Sequence, residues 1–162
     1  MAVAGAPREQ HDHVLRAAGA ALDLLDSINH LSITMPEELG DASWLTNIGA
    51  LQVRIGLHCG SAIGGVIGDT KYTFDLWGDT VNTAARMESH GEAGKIQVSE
   101  EFLQELFMGR NEWLMVDTDI SSSITGTPSP LSTNHSPVTI IPRGEMEIKG
   151  KGKMKTYFLE KA

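Results

Sequence analysis

The chain has 162 residues, 41% of them hydrophobic and 21% charged, the composition of one soluble globular domain with a core of ordinary size. Its net charge of −8 argues against non-specific binding to nucleic acid or to an anionic membrane, so a polyanionic ligand must be held by a few placed cations. A single cysteine, Cys59, excludes an internal disulfide and fits a reducing compartment. No apolar run approaches a membrane span, and Pro7 and Arg8 interrupt the opening too soon for a signal peptide. The expectation is a cytoplasmic domain, although a longer parent protein could be membrane-attached.

Residues 1–6 are small and apolar and predict a short strand that stops at Pro7. Val14, Ala17, Ala18, Ala21, Leu22, Leu25 and Ile28 recur at helical spacing, so residues 10–31 read as an amphipathic helix. His11 and His13 precede it; two such histidines at a helix start rarely converge on a metal, and both read as exposed. Residues 32–50, with Pro36, Gly40 and Gly49, read as a loop. Leu51, Val53, Ile55 and Leu57 then alternate with Gln52, Arg54, Gly56 and His58, the pattern of a strand with one buried face. The glycines of 62–68 lack the Gly-Lys-Ser/Thr that closes a phosphate loop and suit a strand approached closely by another backbone. His58 reads as a hydrogen-bonded strand histidine rather than a catalytic base, and Cys59 as a small buried residue.

The chain is organised around residues 74–89, FDLWGDTVNTAARMES. Gly78 offers a flexible entry, Asp79 an N-cap and Gly91 a C-terminal cap, which predicts a short helix between them. Val81, Ala84 and Ala85 form an arc small enough to pack against a sheet. Asn82 and Arg86 fall on a neighbouring arc, roughly 40° apart, and Ser89 joins them. On its own such a pair is an ordinary solvated face. An arginine beside an asparagine, with no acid at i+4, also suits a phosphate.

Beyond it, residues 94–98 read as a strand, Ser99 with Glu100 and Glu101 opens a helix over 100–107, and residues 113–116 suggest another strand. Residues 118–137 are rich in Ser, Thr and Pro and predict a disordered surface insertion. Within it, Thr127-Pro128-Ser129-Pro130 reads as a phosphorylation site or as plain solvated loop, and the Asn134 sequon matters only in a secreted protein. Residues 145–148 and 154–159 predict a hairpin whose turn carries Lys149, Lys151 and Lys153. Lysines spaced by glycines make either a solubilising tip or a flexible cationic finger.

Taken with VRIGLHCGSAIGGVIG upstream and GKIQVSEE and RGEMEIKGKGKMKTYFL downstream, FDLWGDTVNTAARMES resembles the C-terminal two-thirds of a class III adenylyl/guanylyl cyclase catalytic domain. The resemblance implies a ferredoxin-like α+β fold: a mostly antiparallel sheet with helices on one face, here lacking the first strands. It makes residues 1–162 a partial cyclase domain. The implied reaction is attack of a nucleotide's ribose 3′-hydroxyl on its own α-phosphate, with pyrophosphate leaving. The implied active site lies between two domains arranged head to tail, as a homodimer or as a heterodimer with an intact cyclase domain.

By resemblance, Asp75 accepts the adenine amino group and Leu76 also binds substrate, so that ATP is the substrate and cyclic AMP the product. Cyclases that use GTP usually carry Cys or another residue at the position of Asp75. Asn82 orients the ribose, Arg86 stabilises charge on the α-phosphate, and Lys149 reaches the terminal phosphates. The family's Mg²⁺ or Mn²⁺ is held by two aspartates that match nothing here, since Asp12, Asp23 and Asp26 belong to a different element. The expectation is therefore a chain that is inactive alone. Two other readings stay open: a non-catalytic half that completes an intact partner's site, or a guanylyl cyclase. A plain ferredoxin-like domain without a nucleotide role is the third.

Overall fold

In a computed structural model, residues 1–30, 52–108, 114–116 and 138–161 are described. The expected loop at 32–50, the insertion at 118–137 and its two motifs lie outside these residues. Helix α1 spans His13–Asn29 and buries Val14, Ala18 and Ala21, the stripe its periodicity predicts. Residues 1–6 are not a strand. They line a cavity instead, with no neighbouring strand paired to them.

Strand β1 (Ile55–Leu57) is shorter than the alternation suggests. Strands β2 (Ile63–Ile67) and β3 (Thr73–Trp77) form a separate antiparallel ribbon. Helix α2 (Asp79–Ser89) follows at once, then β4 (Ile96–Ser99), α3 (Glu100–Met108), β5 (Leu114–Val116), β6 (Val138–Ile148) and β7 (Gly152–Lys161). Ser99 opens α3 as expected, its Oγ accepting the Phe102 N–H at 3.2 Å.

The main sheet runs β1-β4-β7-β6-β5. Its β4–β7 and β7–β6 pairings are antiparallel, whereas β1–β4 and β5–β6 are parallel. The fold is thus α+β with a sheet antiparallel at its centre. Strand β4 is the spine: all four of its residues are buried. Ile96 and Val98 join Val14, Ala18, Phe102, Leu103, Leu106, Ile140 and Leu159 in the core beneath α1 and α3. Each such buried large aliphatic or aromatic side chain contributes about 1.5–3 kcal/mol as an upper figure.

Gln97 alternates to the opposite face, where its amide meets the Met87 sulfur of α2 at 3.8 Å. Gly56 shows why α2 lies there. A Cβ on Gly56 would stand 2.0 Å from the Glu88 nitrogen, so only glycine lets the helix backbone settle onto β1. Helices therefore cover both faces, α1 and α3 on one and α2 on the other. The expectation of a single covered face is corrected by the close approach that Gly56 permits.

Candidate functional site

Helix α2 departs from its predicted caps at the N-terminus. Gly78, at φ 135°, holds the cap position, and no side chain caps the helix. The Asp79 carboxylate, expected to cap, instead pairs with the Lys151 ammonium. At the other end the His90 N–H donates to Arg86 O at 3.0 Å and the Gly91 N–H to Glu88 O at 2.9 Å; His90 is the C-cap, one residue before the expected Gly91. The buried stripe is Thr83 and Met87, one turn apart, whereas Ala85, expected to pack, is exposed. Contact with Gly56 through Ala84 O, Met87 C and Glu88 N rotates the inward face towards these residues.

That rotation leaves Asn82 exposed and Arg86 partly buried. Arg16, Arg54, Lys95, Arg143, Lys151, Lys155 and Lys161 each sit beside a carboxylate. Arg86 has no such partner among the described residues, nor does its guanidinium donate a hydrogen bond there. A guanidinium is built to pair with carboxylate or phosphate oxygens in a planar, two-pronged geometry.

Asp75 and Leu76 lie in β3, one step before α2 begins. Asp75 is exposed and opposite Gly65, its Oδ1 accepting the Leu76 N–H at 2.8 Å. Leu76 is partly buried and opposite Gly64. Lys149 is exposed at the turn between β6 and β7. The ion pair from Lys151, two residues on, ties that turn to the first residue of α2. Strand β3, helix α2 and the lysine-bearing turn thus meet around the N-terminus of α2. The sequence reading singled out Lys149 but missed the tether at Lys151, which the same run of alternating lysines and glycines carries.

A cavity of about 410 Å³ opens between residues 1–6, the start of α1, the end of β1 and the first turn of α2. Of the predicted site residues only Leu76 lines it. There His13, expected to be exposed, is partly buried with its Nε2 3.4 Å from Cys59 Sγ. Burial, helped by Glu105, pushes the Cys59 thiol up. His58 lies one residue past the end of β1, not in the strand as expected, but it is hydrogen-bonded: its Nδ1 is 2.7 Å from Ser99 Oγ. Burial lowers its pKa; Glu101 opposes this and Lys151 adds to it. Among the described residues no cluster of His, Cys, Asp and Glu could hold a metal ion. The described residues thus offer no ligand set for a divalent cation.

Compared with known proteins, the chain matches the model of the adenylate and guanylate cyclase catalytic domain over residues 1–161. It is 35% identical over 161 residues to a membrane guanylyl cyclase of Dictyostelium discoideum, covering 99% of this chain and 8% of that protein. An adenylate cyclase of Mycobacterium tuberculosis is 28% identical over 159 residues, covering 98% of this chain and 27% of the relative. The guanylate cyclase domain of RhGC from Catenaria anguillulae, solved with GTP, superimposes with a TM-score of 0.67 at 31% identity. That match covers 98% of this chain and 65% of the solved one. The catalytic core of a rhodopsin-guanylyl cyclase with converted specificity, solved with ATPalphaS, gives a TM-score of 0.64 at 32% identity, again covering 98% and 65%. The chain thus spans about two-thirds of the solved domains and a small part of the full-length relatives. It belongs to the family of adenylate and guanylate cyclase catalytic domains.

Proposed function

We propose that this chain is the base- and phosphate-binding half of an adenylyl cyclase site, working on ATP at the interface with a second domain that supplies the metal-binding carboxylates. The observation that carries the reading is Arg86, partly buried, without a counter-charge, and one turn from Asn82. Asp75 accepts the adenine amino group, which a carboxylate can do while it repels the O6 of guanine. Asn82 orients the ribose. Arg86 meets the charge that develops on the α-phosphate, and Lys149 holds the terminal phosphates. No step is assigned to a metal on this chain, because its described residues hold no cluster for one.

A partner also suits the ribbon, which exposes Ile63, Val66, Ile67, Tyr72, Phe74 and Trp77 around Asp75. The guanylyl cyclase domain of RhoGC from Blastocladiella emersonii, 28% identical with a TM-score of 0.62, has been solved as a non-canonical dimer. A second reading, GTP as substrate, is favoured by the guanylyl cyclases among the similar proteins.

The test is complementation. The purified chain alone is expected to form no cyclic nucleotide from ATP or GTP with Mg²⁺ or Mn²⁺. Mixed with an intact cyclase domain lacking its own transition-state arginine, it should restore cyclic AMP formation, and Arg86→Ala should lower the restored turnover about 10²–10³-fold. Robust turnover by the chain alone, or restoration that survives Arg86→Ala, overturns the reading.

A further inference from the structure

Strand β6 carries one irregularity, and it lies at Arg143. Pro142 pairs with Tyr157 and Gly144 with Thr156, so Arg143 is the extra residue between them. Such a bulge bends the strand and re-aims a side chain. Here the guanidinium swings over the Phe158 ring, 5.0 Å from its centroid, and reaches the far end of α2. Its Nη1 donates to the carbonyl of His90, the C-cap of α2, at 2.5 Å, and also to Gln97 Oε1. Its Nη2 stands 3.4 Å from Glu92.

These contacts form a chain that leads to Arg86. Gln97 is fully buried, and its Nε2 lies 3.8 Å from the sulfurs of both Met87 and Met146. Met87 adjoins Arg86 in sequence and forms the buried stripe that sets how α2 is rotated. His90 closes back on Arg86 through its N–H and Nδ1, both about the Arg86 carbonyl at 3.0 Å. Without Arg143, the buried Gln97 carbonyl oxygen and the His90 carbonyl would each lose a charged donor.

We propose that Arg143 is a positioning residue that fixes the rotation of α2, and with it the direction of Arg86, by bridging the His90 carbonyl and the buried Gln97. The inference rests on the cyclase reading above for its functional consequence. A planar guanidinium donates to two acceptors and stacks on a ring at once, whereas a lysine ammonium in the same place can serve only part of this set. The cation also lies at the helix C-terminus, where positive charge is favoured.

The experiment uses the full 162-residue chain and the complementation assay, comparing wild type with Arg143→Lys, Arg143→Met and, as a control, Glu92→Gln. For correctly folded Arg143→Met, turnover at saturating nucleotide should fall about 10-fold or more with KM within about twofold, because only the aim of Arg86 has changed. Arg143→Lys should recover part of it, and Glu92→Gln should match wild type. Amide exchange on the isolated chain provides a readout independent of activity. The amides of His90 and Gly91 should exchange faster in Arg143→Lys, while those of 102–106 stay unchanged. Unaltered exchange at 90–91, or wild-type turnover in either folded variant, overturns the proposal. So does a loss of activity that tracks only the fraction of protein folded. If Arg143→Met does not fold, Arg143→Lys decides by the same criteria. If the wild-type chain restores no activity, the cyclase reading fails, and the exchange data still decide whether Arg143 holds the helix.

Discussion

A carboxylate at Asp75 can only accept hydrogen bonds, whereas a thiol there offers a weak donor and no charge. Adenine presents an amino donor where guanine presents an oxygen, so the two side chains should sort the purines in opposite directions. In the complementation assay Asp75→Cys is expected to shift the ATP-to-GTP ratio of kcat/KM towards GTP by about 10-fold or more, on the scale of a lost or gained polar contact. An unchanged ratio would mean that Asp75 does not face the base. His58 supports a second prediction. Ser99 Oγ already accepts the Phe102 N–H, so its hydroxyl is best spent donating to a neutral His58 Nδ1. Burial holds the folded pKa below the ordinary value, with Lys151 adding to the effect and Glu101 opposing it. The unfolded chain takes up its proton near pH ~6.5 and the folded chain only at lower pH, so acidification through that window favours unfolding. Thermal midpoints measured from pH 7.5 to 5.0 should fall more steeply in wild type than in His58→Asn. Parallel curves would show that His58 does not carry this dependence.

At the scale of elements, the tightest juxtaposition is between β1 and α2. A Cβ on Gly56 would meet Glu88 N at 2.0 Å, Met87 C at 2.6 Å and Ala84 O at 2.7 Å, all backbone atoms that cannot step aside. Gly56→Ala should therefore push the helix off the sheet and cost about 3 kcal/mol or more, beyond the usual overpacking range, because the obstacle is main chain. Denaturant unfolding measures this. A loss below about 1 kcal/mol would show that α2 shifts freely. The sequence showed where α1 runs because its buried face repeats at helical spacing, and where α2 and α3 run from the residues at their ends, with Ser99 capping α3; the inward face of α2 it misplaced. It likewise showed the β6–β7 hairpin, where Met146 pairs with Met154 and Glu147 with Lys153. Strand β3 was missed because neither side of the ribbon is buried, so no polar–apolar alternation marks it. The capping role given to Asp79 failed because Lys151, distant in sequence, takes its carboxylate. The Arg143–Gln97–His90 network was invisible for the same reason: its partners come together only when β7 joins β4 and β6 into one sheet. Local pattern reports one element's buried face. It does not report which residues of two elements will meet.

The described residues form a five-stranded sheet covered on both faces, with a two-stranded ribbon that lies outside that sheet. Ile63 directly opposes Trp77 on one side of the ribbon, and Val66 opposes Phe74 on the other. These side chains are 73%, 39%, 64% and 49% exposed, so both sides of the ribbon are apolar and wet. Contiguous apolar surface of this kind on a monomer marks an interaction site. A net charge of −8 opposes self-association, which makes the balance sensitive to salt. The chain should therefore associate as its concentration rises in sedimentation velocity, and more strongly when salt screens the repulsion, as expected of an apolar contact between like-charged copies. The paired substitution Val66→Ser with Phe74→Ser removes one apolar side and leaves Asp75, on the other side, in place. It should abolish the salt-promoted association and weaken complementation through affinity for the partner domain, leaving turnover of the saturated complex unchanged. A chain that stays monomeric at every concentration and salt level, or a double variant that associates like wild type, would remove the ribbon as the surface through which this half meets its partner.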